Sequence, residues 1–247
     1  MRSLWKMTWT ELKLYLREPI AAFFTLVFPI MLLLIFGSIY GNEPEEIFGG
    51  RGTVDMSVPA YMAMIIGTVG MLSTSINVAT SRELGILRRY RATPLRPWVI
   101  LVATVVVNFV MTFLGTLLLV VVARPLYGLR FQGDALGVLA GFVLSALSFF
   151  SLGFVIAGLA PTARVAQVVG MLVFYPMLFL SGAGMPKEIM PEGVRAVANY
   201  LPLTHVVDLL QGMWFGEPWA DHLGEVAILA GVLVVGSAVA ARVFRWE

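Results

Sequence analysis

The chain has 247 residues, 59% of them hydrophobic and only 13% charged, with a net charge of +2. Its mean hydropathy of +0.86 excludes an ordinary soluble domain, in which about half the residues are apolar. No cysteine is present, which excludes disulfides, thiolate nucleophiles and cysteine metal sites.

The first stretch, residues 1–18, places Leu4, Trp5, Thr8, Leu12, Tyr15 and Leu16 on one side of a helix, with Lys6, Lys13 and Arg17 elsewhere. It is too polar to span a bilayer and lacks the apolar core of a cleavable signal. The pattern predicts an interfacial elbow helix, with Trp5, Trp9 and Tyr15 at headgroup depth and Arg17 near its end. Pro19 separates it from a six-span region, residues 19–247.

Six apolar runs follow, approximately Pro19–Tyr40, Met56–Thr80, Trp98–Ala123, Ala135–Ala160, Val165–Ala183 and Leu223–Ala241. At a rise of about 1.5 Å per residue, each is long enough for a hydrocarbon core of about 30 Å. None shows the period-2 alternation of a barrel strand. The expected fold is therefore all-α and polytopic. Pro29 predicts a kink in the first span.

Ionisable groups are nearly absent from these spans, so coupling to protons or sodium has little to work with. Neutral polar residues recur instead: Ser73, Asn77 and Thr80 in the second run, Thr104, Asn108, Thr112 and Thr116 in the third, and Gln167 and Tyr175 in the fifth. Singly, such residues glue helices together; as a set they also suit the lining of a path. Gly133, Gly137, Gly141 and Ser145 read as a close-packing face.

The connector between the second and third runs, residues 81–97, reads SRELGILRRYRATPLRP and gathers five arginines. Placing the termini in the cytoplasm puts twelve basic residues inside and five outside, the orientation that the positive-inside rule selects. Arginines there can anchor topology and touch anionic lipid. Leu84 and Leu87 at helical spacing, flanked by Glu83 and Arg88, also suit a docking helix. After the fifth run, Gly182, Gly184 and Pro186 interrupt the helix. Residues 184–222 then predict a broken, re-entrant pair of amphipathic helices split by Pro202, with Thr204 capping the second.

No phosphate loop occurs, nor any Gly-Lys dipeptide, and neither G-x-S-x-G nor H-E-x-x-H is present. His205, Asp208, Asp221 and His222 have generic spacing that suits capping and solvation better than a metal. Ser181 has no histidine or lysine within a span to activate it as a nucleophile.

Five features in order resemble the permease subunits of type-2 ATP-binding-cassette exporters, and they cover nearly the whole chain. They are the elbow with Arg17-Glu18-Pro19, the first span with Pro29 and Phe36-Gly37, the loop with Glu83, Gly85, Arg88, Arg89 and Thr93-Pro94-Leu95, then Ser181-Gly182 with Pro186 and Pro191, and Leu201-Pro202-Leu203-Thr204. The match departs at Gln211, where the family often has an arginine.

The resemblance implies a multi-pass plasma (inner) membrane protein with both termini cytoplasmic. It would act as a dimer with a second permease chain, identical or paralogous, and with two copies of an ABC ATPase subunit. ATP and Mg would sit on that partner, so this chain would be no enzyme and bind no cofactor, metal or nucleic acid. The coupling helix would present Glu83, Leu84, Leu87, Arg88, Arg89 and Arg91 to the ATPase, with Arg164 as a minor contact. Met71, Asn77, Gln167, Met171, Phe174 and Tyr175 would line the path of a hydrophobic or amphipathic substrate, a drug, antibiotic or lipid. Export of a polysaccharide or lipid-linked glycan is the rival within the family. A non-transporting anchor or sensor is the rival outside it.

Overall fold

A computed structural model describes residues 2–86 and 97–243, and Leu87, Arg88, Arg89 and Arg91 lie outside the described residues. The chain forms α1 (Arg2–Arg17), α2 (Pro19–Tyr40), α3 (Thr53–Glu83), α4 (Pro97–Tyr127), α5 (Ala135–Leu159), α6 (Ala163–Leu180), α7 (Glu192–Ala198), α8 (Pro202–Phe215) and α9 (Leu223–Val243). A two-stranded antiparallel ribbon, β1 (Pro44–Glu45) with β2 (Arg51–Gly52), closes the α2–α3 loop. Helices α2 to α6 and the stretch Trp219–Val243 are long and apolar enough to cross a membrane. Helix dominates because hydrocarbon offers no partner for a free N–H or C=O.

Helix α1 packs on α4 and α2, with Tyr15 as its buried anchor. The Tyr15 hydroxyl meets Thr25 Oγ1 at 2.8 Å, and its ring lies against Val107 and Met111. Tyr15 therefore points into the bundle, whereas Trp5 and Trp9 are exposed, as is Arg17. Residue spacing alone places all three aromatics together.

Two helices are locally widened. In α2 the turn Phe23–Val27 is π-helical, with Phe28 N–H donating five residues back to the Phe23 carbonyl. The cause is Pro29, whose missing N–H leaves the Thr25 carbonyl without its usual partner. The second widening, Thr68–Ser73 in α3, has no proline, and its side chains stabilise it. Thr74 donates from Oγ1 to the Val69 carbonyl at 2.8 Å, and Asn108 of α4 donates to Thr74 Oγ1 at 2.8 Å. The two π-turns pack against each other.

Helix α3 is the centre, with 83% of its apolar window buried, and α2, α4, α5, α6 and α8 surround it. Small residues set the close crossings. A Cβ at Gly153 of α5 would overlap the Gly70 carbonyl and the Thr74 side chain of α3. Between α5 and α9, Ser148 donates to the Leu229 carbonyl at 2.8 Å and Gly236 faces Ser151. Of the predicted small-residue row, Gly141 meets Leu209 of α8, Ser145 is buried, and Gly133 lies before the helix against Met213.

Beyond α6 the chain turns at Gly182, whose φ of +94 suits glycine. Helix α8 then returns into the bundle, burying Leu203, Val206, Leu209, Leu210 and Met213. Its cap is Leu201 followed by Pro202, not Thr204. The Thr204 hydroxyl instead donates to the Ala198 carbonyl at 2.6 Å, locking α7 to α8. Pro202 without an N–H costs nothing in a first helical turn.

Replacing Gly153 by alanine forces apart the α3–α5 crossing and should destabilise the chain by about 1–3 kcal/mol. Thermal unfolding in detergent measures this against Gly231→Ala, where a Cβ meets open space and no loss is expected.

Candidate functional site

Adjacent residues of opposite charge end α3, and each meets a helix end of opposite polarity. Arg82 donates to the Ala157 carbonyl at 2.9 Å and to the Ala160 carbonyl, capping the orphan acceptors that end α5. Glu83 Oε2 accepts from Ala163 N–H at 2.9 Å, at the start of α6, where Thr162 Oγ1 also accepts from Val165 N–H at 3.3 Å. The helix dipoles favour this arrangement, a cation at the C-terminus and an anion at the N-terminus. The end of α3 is thus riveted to the α5–α6 turn. Glu83 remains exposed beside this bond, as do Leu84 and Arg164.

A cavity of about 270 Å³ opens between α2, α3 and α6. Gln167, Met171, Phe174 and Tyr175 of α6 line it together, opposite Phe24 and Phe28 of α2 and Thr68 of α3. Both π-turns contribute to its wall. Met71 does not line it: the residue is 2% exposed, and its carbonyl faces Gly170. Asn77 lines a separate cavity of about 140 Å³ between α1, α3 and α4, with Glu11, Glu18 and Asn108. Burial pushes the carboxyls of Glu11 and Glu18 above their ordinary values. The first cavity, mostly apolar with one amide, the Glu18 carboxyl and a few hydroxyls, can hold an apolar or amphipathic body. Among the described residues no group of three His, Asp or Glu could hold a metal.

The end away from the termini is held by two polar clamps that residue spacing does not reveal. Asp55, 2% exposed, accepts from Arg130 Nε at 2.8 Å, Arg130 N–H at 2.9 Å and Asn42 Nδ2 at 3.0 Å. Asn42 Nδ2 also donates to the Tyr127 carbonyl at 3.1 Å, so the ends of α2, α3 and α4 share one node. In the second clamp Glu217 accepts from Arg51 at 2.9 Å and lies 3.0 Å from His222 Nε2. The Arg51 hydrogen bond holds the Glu217 carboxyl below its usual value near 4.5.

Close to the re-entrant break, Gly182, Gly184 and Pro186 line a shallow recess, and Lys187 pairs with Asp208 beside it. Burial raises the Asp208 carboxyl even though Lys187 pulls it down. Gln211, the position that departs from the arginine pattern, donates to the Met56 carbonyl at 3.2 Å and so joins α8 to α3.

Two outcomes test these arrangements. Glu83→Ala should speed amide exchange at Ala163 about fivefold, the loss of roughly 1 kcal/mol, read by mass spectrometry of the peptide spanning it. Because the Glu217 value is depressed on folding, its contribution is fully present above about pH 4.5 and is lost as pH falls through the lower, folded value. The wild-type melting temperature should therefore fall through that window, and Arg51→Gln should flatten the fall.

Several known proteins share this sequence pattern. A daunorubicin resistance ABC transporter permease protein, DrrB1, of Streptomyces coeruleorubidus is 25% identical over 224 residues, 89% of this chain and 76% of its own. Nodulation protein J of Rhizobium leguminosarum bv. viciae is 35% identical over 102 residues, 41% of this chain but only 39% of that relative. A probable multidrug ABC transporter permease, YbhR, of Escherichia coli (strain K12) is 27% identical over 165 residues, 66% of this chain and 45% of its own. The family model of the ABC-2 type transporters matches residues 2–215, from α1 to the end of α8. With six apolar helices and that match, the chain is a multi-pass membrane protein and belongs to the ABC-2 type transporter family.

Proposed function

We propose that this chain is the permease subunit of an ATP-driven exporter, moving a hydrophobic or amphipathic substrate by alternating access. The observation that carries the reading is the Arg82–Glu83 rivet. A push on the loop after Glu83 displaces the α5–α6 turn along with α3, and α3 and α6 are two walls of the 270 Å³ cavity. Force applied at the termini end thus reaches the cavity through α3 and α6. The exposed Leu84 and Arg164 lie on the surface that would receive it.

The ATPase, with its ATP and Mg, sits on a separate subunit in this reading, two copies serving a pair of permease chains with cytoplasmic termini in the plasma membrane. The loop arginines Arg88, Arg89 and Arg91 would face that subunit, where opposite charges set register more than affinity. Substrate enters the α2–α3–α6 cavity, where Gln167 supplies one amide among Met171, Phe174 and Tyr175. The relatives named for drug resistance and multidrug transport support a substrate of this class.

The test joins partner capture to transport. Tagged wild-type chain, extracted gently from its native membrane, should bring down a protein that photo-labels with an ATP analogue, and Glu83→Arg should lose it. Gln167→Leu and Tyr175→Ala should keep the partner yet lower efflux of a membrane-partitioning fluorescent dye severalfold. Absence of any ATP-labelled partner from the wild-type capture overturns the reading. Unchanged efflux in both cavity variants overturns the path.

A further inference from the structure

Two cavities follow one another along the cleft between α2 and α3. The inner one is the 270 Å³ cavity, nearer the termini end, and the outer one, of about 360 Å³, lies at the far end. On α2 the lining passes from Phe28 to Phe36, eight residues and about 12 Å further on. On α3 it passes from Met64 to Tyr61, less than one turn away. The α6 side continues from Phe179 to the break at Gly184.

The two linings share a chemistry. Each holds one acidic side chain, Glu18 in the inner cavity and Glu45 in the outer, and neither holds a lysine, arginine or histidine. Among the described residues neither carboxylate forms an ion pair, and both are half-buried. Glu18 stands at the corner between α1 and α2. Glu45 lies on β1, where the Thr53 hydroxyl donates to its Oε1 at 3.2 Å. Lys187 of the neighbouring recess is already paired with Asp208. Aromatic rings wall both cavities, Phe24, Phe174 and Tyr175 in the inner and Phe36, Tyr40 and Tyr61 in the outer. The Phe36 and Tyr40 rings are stacked, with centroids 6.4 Å apart.

We propose that this cleft binds a lipophilic organic cation of diffuse charge, one in each cavity, and that Glu18 and Glu45 select it. The proposal deepens the exporter reading, on which passage of the cation rests, by fixing the sign of the substrate's charge. A carboxylate beside an apolar wall chooses the sign of its neighbour even with water on its other side, because the effective dielectric there is well below that of water. The ring faces choose the same sign, since their quadrupoles attract a cation. Between the carboxylates the cleft is neutral, and a charge spread over a large apolar body leaves water there at a lower Born cost than a compact ammonium.

The test uses the purified full chain in nanodiscs of zwitterionic lipid, with uptake by empty nanodiscs subtracted. Three radiolabelled probes of one shape are measured separately: tetraphenylphosphonium, the neutral tetraphenylsilane and the anionic tetraphenylborate. Wild type should bind about two cations per chain, about tenfold more tightly than the silane, and no borate saturably. Glu18→Gln and Glu45→Gln should each remove about one cation and leave silane binding unchanged, while Glu18→Asp should keep both. Equal affinity for cation and silane overturns the proposal, as does borate bound as tightly as the cation. So does an unchanged cation count in the double Gln variant, or silane binding lost along with the cation, which gives the carboxylates a structural role only. None of these bindings needs an ATPase, so failed partner capture overturns the exporter reading and leaves the cation sites standing.

Discussion

Hydrocarbon has no hydrogen bonds to give, so every place where a helix of this chain stops, widens or turns must be satisfied by the chain itself. That requirement explains the positions of most of the buried polar side chains. The Arg82 guanidinium takes the last carbonyls of α5, and the Glu83 carboxylate takes an amide that α6 leaves free. Thr74 and Asn108 hold the widened turn of α3, while Asp55 gathers donors from two loops where α2, α3 and α4 end. Each of these groups would be a liability if its partner moved away. The polar contacts therefore act as rivets, fixing which helix segments can move only together.

The rivets divide the bundle in an informative way. At the termini end, α3 is bound to the α5–α6 turn, and at the far end it is bound to α2 and α4 through Asp55 and Asn42. Between those fixed ends lies the π-turn Thr68–Ser73, packed on the π-turn of α2 and bordering the cavity. A π-turn is a natural place for a helix to change pitch, since it already stores one residue outside the regular repeat. Movement imposed at Glu83 therefore meets a compliant point on α3 before the far-end node, and that point lies beside the cavity.

The architecture was largely legible in the residues, because membrane spans announce themselves by length and composition. The six predicted runs fall within a few residues of the observed helices, and Pro29 marked a real defect in α2. Four of the six predicted path residues meet in one cavity because α6 presents Gln167, Met171, Phe174 and Tyr175 at helical spacing on one face. Met71 and Asn77 went elsewhere because the widened turn at Thr68–Ser73 rotates the helical turns within and beyond it. No periodicity reports such a rotation. Asp55 and Arg130 are equally silent in sequence: they are 75 residues apart, and each looks like an ordinary loop charge. Tyr15 was misplaced for a related reason, since an aromatic on an amphipathic helix suits the headgroups and the bundle equally well until Thr25 supplies its hydroxyl with a partner.

The distribution of charge ties these strands together. Ionised groups lie at the two ends of the bundle, while the central parts of the spans carry neutral amides and hydroxyls. A site built on such a middle can bind and release an apolar body without moving a charge through hydrocarbon, a step that costs several kcal/mol. In the proposed reading work arrives mechanically, through contacts that tie helix ends together. The pairing of Arg82 with the end of α5 and of Glu83 with the start of α6 meets that need beside the exposed Leu84 and Arg164.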